Sequence, residues 1–367
     1  MHIAIAIPTL NRSEKLKKAL DSIFCQKTSS DIRLSICVSN SASTDDTGMF
    51  LESIKSRREN IHLFNSNLDN THQNYGCLAK IIPEDVDWVW FMGDDDYLTS
   101  NESVSALHSL ILNENQDLSF VHVCQKRRSN DTSEIIKGSV KELCNTYGYH
   151  EMLGWISSIV IKKEKFINAM NNHQIKANSN LESISAFNHS ICFYQQICNN
   201  QGIFFDKGLI EPQDLIQTKE SIKRWADEKI PEKYLLVMDD FNDLKLSNLM
   251  PINIKSQFFR YINFHFWDRW LIYLLNETVR EDIPLQKKID QSFLVKYDAY
   301  WGKLLDFCNI FEDKTLKKLL DSEIKSSMAL CLKFLFDNKS AELCKVLIKD
   351  KIKLLQQSCY CIQTKII

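Results

Sequence analysis

Four short apolar runs punctuate the first hundred residues, and the apolar side chains between them fall at helical spacing. That alternation constrains the fold more than any other feature of the chain. His2-Ile3-Ala4-Ile5-Ala6-Ile7 reads as a strand stopped by Pro8, and Ser13 to Phe24 places Leu16, Ala19, Leu20 and Ile23 on one helical face, with Ser13 as the expected N-cap. Arg33 to Val38, Ile61 to Phe64 and Trp88 to Met92 read as further strands, and Thr44 to Lys55 as a second helix. Strands alternating with helices predict an α/β fold with a mostly parallel sheet covered on both faces. Ligands of such sheets bind beyond the carboxyl ends of the strands. Three polar loops fall there: PTLNR at 8–12, SNSASTDDT at 39–47 and GDDD at 93–96.

Strand signals continue at Leu118 to Cys124, Ser157 to Ile161 and Ile203 to Phe205, with a helix-like stretch from Ile184 to Cys198. From about Gln217 they stop, and Leu, Ile, Lys and Asp recur at helical spacing from Tyr234 to Lys353. A chain of 367 residues is long for one core, since cores tend to split at roughly 250 to 300 residues. Two domains are therefore expected, an α/β domain over 1–216 and an all-α domain over 217–367.

Charge narrows the function classes. With 45 basic and 47 acidic side chains the net charge is -2, which gives no reason to expect nucleic acid as a partner. MHIAIAIPTL has no basic n-region, and no stretch approaches the roughly 18 apolar residues of a spanning helix. The 12 cysteines, among them Cys25, Cys37, Cys124, Cys192, Cys308 and Cys331, sit among apolar neighbours. They read as reduced core residues of a cytoplasmic protein. Cys359 and Cys361 form a CxC that matches no redox or zinc spacing.

The run Trp88-Val89-Trp90-Phe91-Met92 has the composition of a strand buried on both faces, and it drives straight into Asp94, Asp95 and Asp96. Adjacent carboxylates repel one another, and burial raises the cost, so the arrangement favours a compensating cation. Magnesium or manganese takes one or two carboxylates together with substrate phosphates. Asp94 and Asp96, two apart, are the expected pair. PTLNR joins the first strand to the first helix, where polar side chains and helix N–H groups meet a nucleotide. The Ser, Thr and Asp residues of SASTDDT are also what any helix start prefers, so neither loop is specific alone.

Taken in order, IAIPTLNRSEKLKKALDSI, ICVSNSASTDDT and WVWFMGDDDYL resemble the family 2 glycosyltransferases of the GT-A fold, especially the abequosyltransferase-like enzymes of bacterial O-antigen and capsule synthesis. The resemblance covers residues 1–125 and, more weakly, 150–215. It implies a Rossmann-like nucleotide-diphospho-sugar transferase domain followed by the helical domain. It also implies Mn2+ or Mg2+ as cofactor and inverting transfer from a nucleotide-sugar donor to a glycan acceptor, such as an undecaprenyl-linked saccharide, at the cytoplasmic face of the membrane.

The same resemblance assigns residues. Pro8, Thr9, Asn11 and Arg12 would line the nucleotide sugar from the first loop, Asn40 and Ser41 from the second, and Asp94 and Asp95 from the third; Asp96 with Asp94 would hold the metal. Asn40 stands where the family usually has an aspartate at the base, and Asp69 where it often has a glycine. Inverting transfer needs a group that takes the acceptor hydroxyl proton. Glu182, in SNLESISAF, lies at the distance where similar enzymes carry that base, although the usual Glu-Asp pair is missing, and His189 is the second candidate. Trp155, in GWISS, is the candidate for stacking on an acceptor sugar, or equally a core tryptophan.

FFRYINFHFWDRWLIYLL, from Phe258 to Leu275, reads as a buried interdomain helix or as a surface that docks peripherally on a bilayer. Two rivals to the transferase are kept. A nucleotidyltransferase shares the sheet, the acids and the metal, but PTLNR lacks its phosphate-loop glycine. A GT-A-like scaffold that has lost its chemistry would fit Asn40, Asp69 and the missing Glu-Asp pair.

Overall fold

The computed structural model describes residues 1–67, 71–114, 117–179, 184, 185 and 187–213, with isolated positions between 236 and 249. The chain divides into two compact units, Met1–Gln217 and Thr218–Ile367, of which the first is described below. The expectations for 258–275, for the helical run from Tyr234, and for Cys308, Cys331, Cys359 and Cys361 concern positions outside the described residues.

The first half of the unit alternates as its sequence predicts. Strand β1 (His2–Thr9) leads to helix α1 (Ser13–Phe24), β2 (Arg33–Ser41) to α2 (Thr47–Lys55), and β3 (Ile61–Ser66) to α3 (Thr71–Leu78). Then come β4 (Trp88–Phe91), β5 (Asp96–Leu98), α4 (Ser103–Leu112), β6 (Leu118–Gln125) and β7 (Glu134–Ser139). Two short helices, α5 (Val140–Tyr147) and α6 (Tyr149–Leu153), precede β8 (Ile159–Lys162), α7 (Lys163–Ser179), α8 (Asn188–Ile197) and β9 (Gln201–Pro212).

The strands form one sheet in the order β3-β2-β1-β4-β8-β6-β9-β5, with β7 also on β9. From β3 to β4 the pairing is parallel, as expected. Beyond β4 the sheet is mixed, which corrects the mostly parallel expectation. The chain reaches β8 from the carboxyl edge of β4, so β8 can only run back antiparallel, Phe91 opposite Ile159. Strand β6 is antiparallel to β8 and parallel to β9, which restores the original direction.

Side-chain alternation then divides the core. Ile3, Ile5 and Ile7 of β1 and Trp88 and Trp90 of β4 join Leu16 and Leu20 of α1 and Val104 and Leu107 of α4 in one apolar cluster. The opposite face of β4 presents Phe91, whose ring meets Tyr75 of α3 at 5.2 Å, Phe166 of α7 at 5.7 Å and Phe193 of α8 at 6.0 Å. Trp90 is fully buried, and its indole nitrogen donates to the carbonyl of Ser157 at 2.8 Å, so the strand is dry on both sides without an orphaned donor. Of the cysteines expected in the core, Cys37, Cys124 and Cys192 are buried and Cys25 is exposed. Burial pushes the thiols of Cys37 and Cys124 up to about 12, which keeps them protonated and unreactive.

Helix α1 starts differently from its sequence signal. Arg12 occupies the cap position without a side-chain cap bond, and Ser13 is the first helical residue. The Ser13 amide donates instead to Asp45 Oδ2 at 3.1 Å, and Asp45 also accepts from the amide of Thr47 at 3.0 Å. One carboxylate thus serves the N-termini of both α1 and α2, a long-range cap that local sequence cannot show.

Candidate active site

All three polar loops lie at the carboxyl edge of the parallel half of the sheet, and hydrogen bonds tie them to one another. Asn11 has φ 52°, a left-handed backbone that asparagine tolerates, and this turns its side chain towards the second loop. Its Oδ1 accepts from the amide of Thr44 at 2.7 Å, while its own amide donates to Ser43 Oγ at 2.9 Å. Asn74 of α3, 1% exposed, donates to the carbonyls of Ser39 at 2.8 Å and Thr9 at 3.3 Å and so clasps the ends of β1 and β2. Pro8 and Ser41 are buried at those same strand ends.

The acid loop is held from both sides. Thr9 Oγ1 donates to Asp94 Oδ2 at 2.8 Å, and Arg12 Nη1 lies 2.7 Å from both Asp94 Oδ1 and Asp95 Oδ2. Ser157 donates to Asp96 Oδ2 in a short hydrogen bond, and its Oγ accepts from the amide of Gly93 at 2.8 Å. Asp96 is at once the last acid and the first residue of β5, paired with Pro212 of β9. The loop closes this tightly because residue 93 is glycine: a Cβ there would lie 2.7 Å from Asp96 Oδ2.

Electrostatics distinguishes the three acids. Asp94 and Asp96 are 5% and 3% exposed, and the side chain of Asp95 is 37% exposed. Burial raises the carboxyl of Asp94 above the usual range, against the opposing pull of Arg12. Burial also raises Asp96 well above it, and the charge of Asp95 adds to the rise. Two buried carboxyls whose ionisation is disfavoured are what a divalent cation would relieve. Among the described residues no group of three or more His, Cys, Asp or Glu side chains is arranged to hold a metal. The oxygen donors of Asp94 and Asp96 therefore fit an ion that completes its shell with phosphate and water, as Mg2+ and Mn2+ do, rather than one caged wholly by protein.

Asn40 is 6% exposed, its Nδ2 donates to Asn65 Oδ1 at 3.2 Å, and its own Oδ1 has no partner among the described residues. Trp155 is partly buried and packs against the core cluster, a placement nearer the structural of its two readings. His189 is 3% exposed, with its ring against Tyr75, Phe91 and Phe187 at 6.0, 6.5 and 6.1 Å. Burial lowers its pKa to about 4, so at neutral pH it is an uncharged core ring with no open face for a sugar hydroxyl. That burial argues against His189 as the base. Glu182, like Asp69, lies outside the described residues.

Ser157 and Asn74 went unnoticed in the sequence. GWISS is distinctive for its tryptophan and not for its serines, and the polar stretch THQNYG carries no signal for Asn74. Ser157→Ala removes a donor from Asp96 and an acceptor from Gly93 at once. We expect it to cost about 2 kcal/mol in urea unfolding and to weaken Mn2+ binding about tenfold by titration.

Residues 4–170 match the family model described as Glycosyl transferase family 2. A curated relative, abequosyltransferase RfbV of Salmonella typhimurium, is 24% identical over an alignment of 186 residues that covers 45% of this chain. The match spans about half of that relative, 54% of its length. Among solved structures, S. aureus TarS 1-349 aligns with 98% of this chain and 91% of its own at a TM-score of 0.57 and 13% identity. The same protein in complex with UDP-GlcNAc aligns at a TM-score of 0.54 and 14% identity, covering 98% of this chain and 92% of that one. These likenesses identify the mixed α/β sheet as that of the GT-A glycosyltransferases.

Proposed function

We propose that this chain, a family 2 glycosyltransferase over residues 4–170, transfers a sugar with inversion from a nucleotide-sugar donor to a glycan acceptor in the assembly of a bacterial surface polysaccharide. The observation that carries the proposal is the pair of buried, destabilised carboxyls Asp94 and Asp96 at the carboxyl end of β4, within hydrogen-bond reach of Thr9, Arg12 and Ser157. Residues 1–216 form the catalytic domain in this reading and 217–367 a helical domain. The relative and the UDP-GlcNAc complex of TarS support the substrate class and leave donor and acceptor to be identified.

Each residue then has a task. Pro8, Thr9, Asn11, Arg12, Asn40 and Ser41 line the nucleotide at the ends of β1 and β2, and Asn40 offers its unpartnered carbonyl oxygen to a base N–H. Asp94 and Asp96 supply carboxylate oxygens to Mg2+ or Mn2+, with Asp95 towards the donor. An ion held there would supply positive charge against the departing diphosphate. The acceptor hydroxyl attacks the anomeric carbon, the bond from that carbon to the diphosphate oxygen breaks, and a carboxylate takes the hydroxyl proton. Glu182 is the candidate for that carboxylate, and Trp155 for an acceptor contact. No helix among the described residues is long and apolar enough to cross a membrane, and peripheral docking through the C-terminal residues is part of the proposal.

A thermal-shift panel of nucleoside diphosphates, with and without Mn2+, followed by turnover of the matching nucleotide sugars, tests this reading. We expect one nucleotide to stabilise the protein only with metal, by about 2.7 kcal/mol at a hundredfold excess over Kd, and its sugar to be hydrolysed or transferred. Binding without turnover would replace the enzyme by a scaffold. No shift with any nucleotide would remove the nucleotide-sugar reading altogether.

A further inference from the structure

Arg12 sits where a cation is wanted for a different reason. Its Nη1 bridges Asp94 Oδ1 and Asp95 Oδ2, each at 2.7 Å, and its side chain is only 21% exposed. A guanidinium so placed neutralises part of a three-acid loop by itself. A divalent ion approaching the same carboxylates meets both a fixed positive charge and an oxygen already occupied as a hydrogen-bond acceptor. Yet Arg12 is tethered to the loop between β1 and α1, at the cap position of α1. A diphosphate bound there would offer its fork a bidentate partner.

We propose that Arg12 is the counter-ion of Asp94 and Asp95 and transfers its pairing from them to an incoming diphosphate, so that divalent cation and nucleotide bind as a coupled pair and the cation alone binds poorly. This deepens the function proposed above and rests on it. Asp94 would then have two alternating partners, the guanidinium and the metal. Thr9 keeps the carboxylate aimed in both, since its hydroxyl holds the other oxygen, Oδ2. Coupling of this kind is reciprocal: whatever factor the diphosphate adds to metal affinity, the metal adds to diphosphate affinity.

The test is Mn2+ binding to the full chain without nucleotide, read from the loss of the free-ion electron spin resonance signal. Three chains are compared: the natural one, Arg12→Gln and Arg12→Lys. Removing the competing charge is expected to tighten Mn2+ binding about tenfold in Arg12→Gln, whereas Arg12→Lys, which retains a cation, stays within about threefold of the natural chain. Arg12→Met, which keeps the stem without the charge, replaces the glutamine variant if circular dichroism shows the latter unfolded. Equal or weaker binding in the uncharged variant overturns the counter-ion role while leaving the metal site standing. Absence of Mn2+ binding in every chain overturns the metal reading itself, and this proposal with it.

Discussion

Asp96→Asn is expected to abolish metal-dependent nucleotide binding and to reduce sugar transfer by about a thousandfold, while making the metal-free protein more stable. The two effects share one cause. Asp96 is 3% exposed, and burial together with the neighbouring charge of Asp95 raises its carboxyl well above the ordinary range. An acid raised on folding binds its proton more tightly in the native than in the unfolded state. Its contribution to stability is present at pH below the ordinary carboxylate value and is lost as pH rises through the elevated one. Ionising this buried group in the metal-free protein therefore opposes folding. Asparagine keeps the shape and still accepts from Ser157, but it has no charge to bury and is a poor ligand for a hard cation. Thermal unfolding without metal, from pH 4 to pH 8, should show the advantage of Asp96→Asn over the natural chain growing as pH rises. A variant that unfolds earlier than the natural chain at pH 7.5 would contradict this account.

The second large effect runs the other way with pH. His189 and His173 are buried behind β4, in the aromatic layer formed by α3, α7 and α8. Burial lowers the pKa of His189 from 6.5 to about 4. Burial, helped by the neighbouring rings of His72 and His189, lowers His173 well below its ordinary value. Asn188 Nδ2 lies 2.8 Å from His173 Nδ1, a contact that suits the neutral ring. Such groups contribute stability while they remain neutral in both states, and that stability is lost as pH falls from about 6.5 towards the depressed native value. For His189 the interval is worth about 3 kcal/mol, at about 1.4 kcal/mol per pH unit. Between pH 7.5 and pH 5 the urea midpoint of the natural chain should lose ground relative to that of His189→Phe. An unchanged slope in that variant would remove His189 from the explanation. Because Asp96 and the histidines act in opposite directions over overlapping pH ranges, each effect is read from the difference between its variant and the natural chain.

The sequence disclosed the ligand edge better than the far side of the sheet. Thr9, Asn40, Asp94 and Asp96 were legible because each lies at or just beyond the carboxyl end of β1, β2 or β4, and strand ends in a parallel sheet share one edge. Strand β5 was hidden by its length of three residues and by beginning with a catalytic-looking acid, Asp96. Strand β7, EIIKGS, is an edge strand with its residues exposed or half-buried, so it lacks the alternation that marks a half-buried strand. Helix α3 packs through polar and histidine side chains, His72 stacking on His173 at 5.4 Å, and therefore carries no clear apolar stripe. Ser157 could not be read at all. Its partner lies 61 residues earlier, and the two meet only because β8 returns antiparallel beside β4.

The pairing of β5 with β9 also bears on the order in which the site can come into being on the ribosome. Asp96 is registered against Pro212, and the amide of Gln213 donates to the carbonyl of Asp95 at 2.8 Å. The acid loop is thus clamped by a strand translated more than a hundred residues after it, and contacts of such separation form late because their loop closure must be paid first. Until that strand emerges, β6 has an open edge and the three carboxylates lack one of their walls. A nascent chain stopped near residue 170, where the family match ends, would carry Asp94, Asp95 and Asp96 without the strand that registers Asp96.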